Sequence, residues 1–455
     1  MYDYGLLFES AFSIIVEYKT KRTETMKRLI LLALVLAGCF SQLVNAKTEK
    51  KSKQILTARK RIFEPGLLVG KEKVKKVFMP SFVVTDKGSL IVFCQGRLRK
   101  GGDNSLKVIL SRRSEDGGLT WNDVEVLSTP INHFAISPYK AKVNGKERIS
   151  FLTCIGLTVT KEYYKTADNL QKQTGIDLDE IGDATSSVIV KYYSEDDGKT
   201  WQKEYLTGDK NPLYQKNSND HTYIFSNLIG QVTEIESGRN KGRMVIAAPL
   251  RGVKKGDDLP SNFRNCNSIG SCVIYSDDKG ETWKMGGVIA DYTAGEASTA
   301  LLNNGKDLMM IRRCKTKKKL ASLGITPSIE PGDKRIAHLS KDGGMTWSKA
   351  FLIDVSKHTC FGGMMNENDR IYISLPAKTL DENKGKRAFK RSRGTVFYSD
   401  NDGESWNSKM IEAGPYSYST IGKIDRKRNI VFFTEGYHGE IGVSYRIFND
   451  EWLEN

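Results

Sequence analysis

The sequence predicts an all-β chain folded as a six-bladed β-propeller, and three observations carry that prediction. The unit Ser114-Glu115-Asp116-Gly117-Gly118-Leu119-Thr120-Trp121 returns at Ser194–Trp201, Ser276–Trp283, Ser340–Trp347 and Ser399–Trp406. Its tryptophans are 59 to 82 residues apart, a length that suits about four strands with loop insertions. Short β-rich runs separate the units, and a last pair of runs after the fifth unit, 429–433 and 441–446, makes a sixth blade.

Each unit reads as a hairpin turn. Glycine supplies the positive-φ position that other residues avoid. Asp and Ser side chains accept hydrogen bonds from turn amides. Trp opens the next strand and buries a large apolar surface over the turn. Unrelated Asp-Gly hairpins are common, but five copies with the same Thr/Ser-Trp ending mark one repeated element.

The elements follow in order. Residues 78–84 and 88–94 are two strands joined by a Thr-Asp-Lys-Gly turn, and 106–111 is a third that runs into the first unit. The same grammar gives 188–193 before the second unit, and 242–248 with 271–275 before the third. It gives 306–311 with 335–339 before the fourth, and 370–374 with 395–398 before the fifth. A segment from about Lys161 to Gly182 interrupts the second blade and is expected to hold a short helix or lid.

Residues 1–46 read as an N-terminal extension and export signal. From Met26 a basic start leads into an apolar run ending Leu36-Ala37-Gly38-Cys39, similar to a bacterial lipoprotein box with Cys39 as the lipidated residue. Val44-Asn45-Ala46 is a rival site for ordinary cleavage. The run is short for a membrane-spanning helix. Export is expected, to the periplasm, the cell surface as a lipoprotein, or the medium. Residues 47–61 form a lysine-rich linker, and 62–455 the propeller.

The chain carries a formal charge of +16. Its lysines are scattered and form no basic run interleaved with aromatics, which argues against nucleic-acid binding. Seven cysteines include no CxxC pair, so a zinc site is not expected; Cys266 and Cys272 would close a small loop in an exported protein.

The repeated units are similar to the Asp-boxes of sialidases, and other segments carry the resemblance further, from about Ile62 to the C-terminus. Gln95-Gly96-Arg97 resembles that family's Glu-Gly-Arg segment, which places Arg97 on the wall of the sugar pocket. Asp103 falls where the family has its acid/base Asp. Gly295-Glu296-Ala297-Ser298, with a following strand that ends at Arg312, resembles the catalytic Glu strand and an arginine of the carboxylate-binding triad. Arg391, preferred by spacing over Arg393, resembles the last triad arginine. Gly414-Pro415-Tyr416-Ser417-Tyr418-Ser419 resembles the segment that holds a nucleophilic Tyr, here Tyr418. Glu435 sits where the family has a Glu that braces the first triad arginine.

Two departures stand out. The family's Arg-Ile-Pro segment is Phe78-Met79-Pro80 here, so Phe78 replaces the first triad arginine. Lys75 and Lys76 are nearby but out of register. Gln95 replaces a Glu.

The resemblance implies a retaining exo-α-sialidase-like glycoside hydrolase that needs no cofactor or metal and acts on sialylated or related glycans. Sialidases use a Tyr nucleophile. A phenol deprotonated by a neighbouring Glu avoids bringing a carboxylate against the substrate's own. Tyr418 would attack, Glu296 would take its proton, and Asp103 would act as general acid and then base. Arg312 and Arg391 would hold the substrate carboxylate. Phe78 leaves two other readings open: a glycoside hydrolase for a sugar without that carboxylate, and a non-catalytic glycan-binding propeller.

Overall fold

The computed structural model describes residues 26, 53–99, 102–103, 105–181, 187–207, 210, 215–216, 221–225, 230–254, 267–292, 294–314, 334–356, 360–377, 391–436 and 441–455. Contacts divide the chain into Met1–Gln54 and Ile55–Asn455, and the second unit is the propeller. The expected signal with Cys39, and Cys266 of the expected small loop, lie outside the described residues. Cys272 is buried as a free thiol.

Six antiparallel sheets follow one another along the chain. The first is built on Glu72–Val84, Leu90–Leu98 and Lys107–Ser114, and the second runs His133–Val143, Lys146–Gly156, Ser187–Ser194, Gln202–Leu206. The third centres on Met244–Lys254 and Asn267–Ser276. The fourth runs Ala294–Leu301, Leu308–Cys314, Arg335–Ser340, Phe351–Ile353, and the fifth Met364–Asn366, Ile371–Pro376, Ser392–Ser399, Asn407–Pro415. The sixth takes Ser419–Asp425, Arg428–Thr434 and Val443–Phe448 from the end of the chain and Lys60–Phe63 from its beginning. The folded unit therefore starts before residue 62. Ile55 N–H already donates to Asn449 Oδ1 at 2.7 Å, and Lys60 pairs with Tyr445.

The repeated turns owe their shape to one hydrogen-bond pattern. Ser114 Oγ donates to Asp116 Oδ1 (2.7 Å) and accepts from Gly118 N–H (2.8 Å). Asp116 in turn accepts from the Thr120 N–H and hydroxyl. Asp196, Asp278 and Asp342 repeat this. In the fifth turn Asn401 accepts from Ser405 N–H and donates through Nδ2 to Ser405 Oγ. The glycine after each Asp, or one further on, takes positive φ, as at Gly118 (88°) and Gly403 (85°).

Each box tryptophan packs across the seam to the preceding blade. Trp201 meets Phe93 edge-on (5.5 Å), Trp283 meets Tyr139 (5.6 Å), and Trp121 meets Phe432 and Tyr445 of the sixth blade. Trp347 joins the cluster of Val245 and Val273, and Trp406 that of Met309 and Ile311. The sixth seam lacks a box. There Trp452, on the C-terminal helix Asp450–Glu454, packs on Phe448 in the cluster that contains Tyr372 and Tyr398. Trp283 is fully buried, and truncating a buried aromatic costs about 3–5 kcal/mol; the other box tryptophans are half-buried.

The interruption of the second blade is helical: Leu157–Tyr164, Ala167–Thr174 and Leu178–Ile181. Thr166 caps the second helix by accepting from Asn169 N–H, and Gly175 ends it in the left-handed region. The helices pack behind the first and second blades through Leu157, Tyr164 and Leu170.

Candidate active site

Tyr418 stands just ahead of the inner strand of the sixth blade, with 8% of its surface exposed. Glu296 sits near the start of the inner strand of the fourth blade. The ring closure brings these strands to one end of the molecule, and the Tyr418 hydroxyl donates to Glu296 Oε1 at 2.7 Å. Arg313 completes a triangle: its Nη1 donates to Tyr418 Oη at 2.8 Å and to Glu296 Oε2.

Burial and the Glu296 charge push the Tyr418 phenol well above its ordinary range, against the opposing pull of Arg313 and Arg391. Tyr418 is therefore a neutral hydroxyl in the resting site. Burial works against the Arg313 charge, but Glu296 and Tyr418 outweigh it and hold this guanidinium protonated.

Arg312 is not in this triangle, which corrects the expectation for the fourth blade. Its fully buried guanidinium makes a bidentate pair with Asp291 (2.7 Å twice) and donates to Ser271 Oγ at 3.0 Å. His338 Nε2 lies 3.2 Å away and Nδ1 is 2.9 Å from Ser348 O, so the imidazole donates to the carbonyl and accepts from Arg312. Burial, together with the Arg312 charge, lowers the His338 pKa and favours that neutral form. The physical reason is strand alternation: neighbours 312 and 313 point to opposite faces. No apolar/polar alternation marks the phase, because Leu308–Cys314 is buried or half-buried throughout.

Arg391 lies beside the tyrosine. Its Cζ is 5.2 Å from the Tyr418 ring centroid, and Nη1 donates to Ser417 Oγ at 2.9 Å. Arg393 takes a positive φ of 55° and its carbonyl accepts from Ala377 N–H and Thr395 Oγ1.

Phe78 faces the same ring at 5.1 Å, and Phe361 stacks from 6.1 Å. The strand Glu72–Val84 makes this possible with an irregularity between Phe78 and Ser81, where Met79 has φ 57° and Pro80 lacks an N–H to donate. The guanidinium of Arg97 lies over the Phe78 ring, 4.4 Å from its centroid. Arg97 Nη1 donates to Asp103 Oδ1 at 2.8 Å, which leaves Asp103 72% exposed in its side chain. A continuous series, Asp103–Arg97–Phe78–Tyr418, thus links Asp103 to Tyr418.

Gln95 has a reason to be an amide. Oε1 accepts from Arg97 Nε at 3.3 Å, while Nε2 donates to Phe134 O at 2.5 Å. A carboxylate has no donor for that carbonyl. Glu435 is engaged away from Tyr418: Arg61, on the strand contributed by the N-terminal side, donates to both of its oxygens, and so does Ser444 Oγ to one. Burial opposes ionisation of Glu435, but the Arg61 and Ser444 hydrogen bonds outweigh it and lower its pKa. The acid that would brace an arginine at position 78 is held instead by one that arrives from another strand. Sequence reasoning missed Arg313 and Arg61; the adjacent pair Arg312-Arg313 was the one available signal for the first.

Comparison with known proteins agrees with this architecture. Residues 180–426, more than half of the chain, match the model of the BNR repeat-like domain. The chain is 25% identical over 398 residues to a sialidase of Micromonospora viridifaciens, an alignment that covers 84% of this chain and 53% of the relative. The chain thus spans about half of that relative's length. A sialidase of Paraclostridium sordellii is 23% identical over 395 residues, covering 82% and 84% of the two chains. Among solved structures, the intramolecular trans-sialidase of Ruminococcus gnavus in complex with oseltamivir carboxylate superposes with a TM-score of 0.57 at 14% identity, covering 84% of this chain and 96% of that one. Trypanosoma rangeli sialidase in complex with sialic acid superposes with a TM-score of 0.57 at 15% identity, covering 86% and 58%.

Proposed function

The chain belongs to the BNR repeat-like family as a sialidase-type propeller, and from that premise we propose that it is a retaining exo-α-sialidase-like glycoside hydrolase with Tyr418 as nucleophile. The observation that carries the reading is the triangle of Tyr418, Glu296 and Arg313. A buried neutral phenol with a carboxylate at 2.7 Å is a nucleophile with its base already in place.

Tyr418 Oη attacks the anomeric carbon as its proton passes to Glu296 Oε1. Arg313 Nη1, already bonded to both atoms' groups, stabilises the charge as it moves from carboxylate to phenolate. Asp103 protonates the departing glycosidic oxygen, then takes a proton from the water that releases the sugar from Tyr418. Two displacements at one carbon retain its configuration. Arg313 and Arg391 offer guanidinium groups to the substrate carboxylate, and Arg97 lines the wall near Asp103.

One observation favours a second reading. The position of the first clamp arginine holds the buried ring of Phe78, and Glu435 is bonded to Arg61. A sugar without a carboxylate would lose little by this, so a related glycoside remains the rival substrate. A panel of aryl glycosides that includes an aryl sialoside separates the two. Tyr418→Phe should cut kcat on the preferred glycoside by at least a thousandfold while leaving the thermal midpoint in place. Unchanged turnover would remove Tyr418 as the nucleophile. Export by the signal at residues 26–46 belongs to the same proposal, and N-terminal sequencing of protein from the producing cell tests it.

A further inference from the structure

Lys107 is 1% exposed, unusual for an amino group unless it is paired. Its Nζ donates to Asp103 O at 2.7 Å, to Ser105 O at 3.2 Å and to Asn132 Oδ1, and lies 5.3 Å from the Phe134 ring centroid. Two of these acceptors are backbone carbonyls of the loop that carries Asp103. The ammonium therefore closes that loop from beneath, while Arg97 holds the Asp103 carboxylate from the side.

The third acceptor is itself supported. Asn132 N–H donates to Thr160 Oγ1 at 3.2 Å, and Asn132 O accepts from Gly156 N–H at 2.9 Å. Thr160 lies in the helix Leu157–Tyr164, and its hydroxyl donates to Gly156 O at 2.7 Å. The next residues of that helix reach the same region: Arg99, just past the strand Leu90–Leu98, lies 4.8 Å over the Tyr163 ring. The helical interruption of the second blade thus backs Asn132, Asn132 backs Lys107, and Lys107 holds the Asp103 loop.

We propose that Lys107, seated on Asn132 and the Leu157–Tyr164 helix, is a positioning residue for the general acid Asp103. This rests on the assignment of Asp103 as the acid, and it gives the helical insertion a role in catalysis without contact with substrate. A loop residue with 72% of its side chain in solvent needs such a constraint to deliver its proton along one direction.

The test uses the full chain and two aryl glycosides of the sugar it cleaves, one with a poor leaving group and one with an activated one. Proton donation matters to the first and little to the second. Asp103→Asn should lower kcat/KM at least tenfold more on the poor leaving group. Lys107→Met should show the same bias, and Lys107→Arg, which keeps donors, should recover part of it. Hydrogen exchange of the Asp103 and Ser105 amides, read without substrate, should speed at least tenfold in Lys107→Met with the rest of the propeller unchanged. If Lys107→Met proves unstable, Asn132→Leu carries the test and should give the same bias at smaller size. Bias in Asp103→Asn with none in the Lys107 and Asn132 variants overturns the positioning role. Absence of bias in Asp103→Asn itself, with faster exchange in Lys107→Met, refutes the acid assignment and leaves Lys107 a loop clamp only. Unchanged exchange overturns the proposal in either case.

Discussion

The adjacent arginines 312 and 313 should behave as different kinds of residue, and replacing each in turn gives a sharp test of the site. Arg313→Lys keeps a positive charge but loses the planar group whose Nη1 reaches Tyr418 Oη at 2.8 Å and Glu296 Oε2 together. Hydrogen bonds to charged groups are worth about 1.5–3 kcal/mol each. Losing two in the transition state amounts to about 3–6 kcal/mol, or roughly two to four orders of magnitude in kcat/KM. Arg312→Met instead removes the bidentate bonds to Asp291 and the Arg312 donors to Ser271 and His338. Breaking a buried pair from one side costs about 3–5 kcal/mol of stability. The assays are steady-state hydrolysis of the preferred aryl glycoside and thermal unfolding. Arg313→Lys should lose activity with little change in midpoint, and Arg312→Met should lower the midpoint and keep activity in the folded fraction. The opposite pattern, with activity lost at 312 and stability lost at 313, would refute the strand phase and with it the triangle around Tyr418.

Two other outcomes follow from the structure. Phe78→Arg should weaken rather than strengthen sialoside affinity on its own, because it removes the Phe78–Arg97 contact, worth about 0.5–2 kcal/mol, and finds Glu435 already bonded to Arg61; adding Arg61→Ala frees Glu435 and should restore affinity at least tenfold relative to the single variant. Inhibition by a sialic acid analogue measures both, and a single variant that binds tighter would sink the account. Acid should loosen the blade turns. The Asp116 carboxyl is lowered by its Thr120 bonds, and at Asp196 the Thr200 bonds outweigh burial and lower it to about 2. Asp278 and Asp342 are lowered as well. A carboxyl depressed by folding contributes stability above its unfolded value, near 3.8, and loses it as pH falls through the folded value, so the thermal midpoint should drop between about pH 4 and 2. Asp196→Asn copies the fifth turn and should fold with a shallower acid loss; an unchanged slope would remove Asp196 from the explanation.

The fold was legible because the information for it is local. A Ser-Asp-Gly-Thr-Trp turn closes on its own hydrogen bonds, and five of them set the blade spacing. Glu296, Tyr418 and Arg391 were legible as segments, and the ring brings them together. The rest depended on how the blades meet. The Arg312–Arg313 phase is invisible in a strand buried on both faces. Arg61 reaches Glu435 from 374 residues away, and nothing around it in sequence announces a partner. Nothing in a lysine-rich sequence singles out Lys107, whose strand places the ammonium under the Asp103 loop.

The shared sixth blade also sets how the ring yields to tension. Lys60–Phe63 and Val443–Phe448 run antiparallel, and the residues that lead into and out of them meet at one end, where Ile55 bonds Asn449. A pull on the two chain ends therefore meets the hydrogen bonds of this latch one after another, peeling it like a zip, and does not load them all in shear. The Ile55–Asn449 bonds break first, then the Thr57 contacts with Arg446 and Ile447, then the strand pairs toward Phe63. Once they part, the seam between the sixth and first blades is left to the packing of Trp121 on Phe432 and Tyr445. Tyr418 and the latch share a blade, so force applied at the ends of the propeller loosens the sheet next to Tyr418 before the blades that carry Glu296 and Arg313.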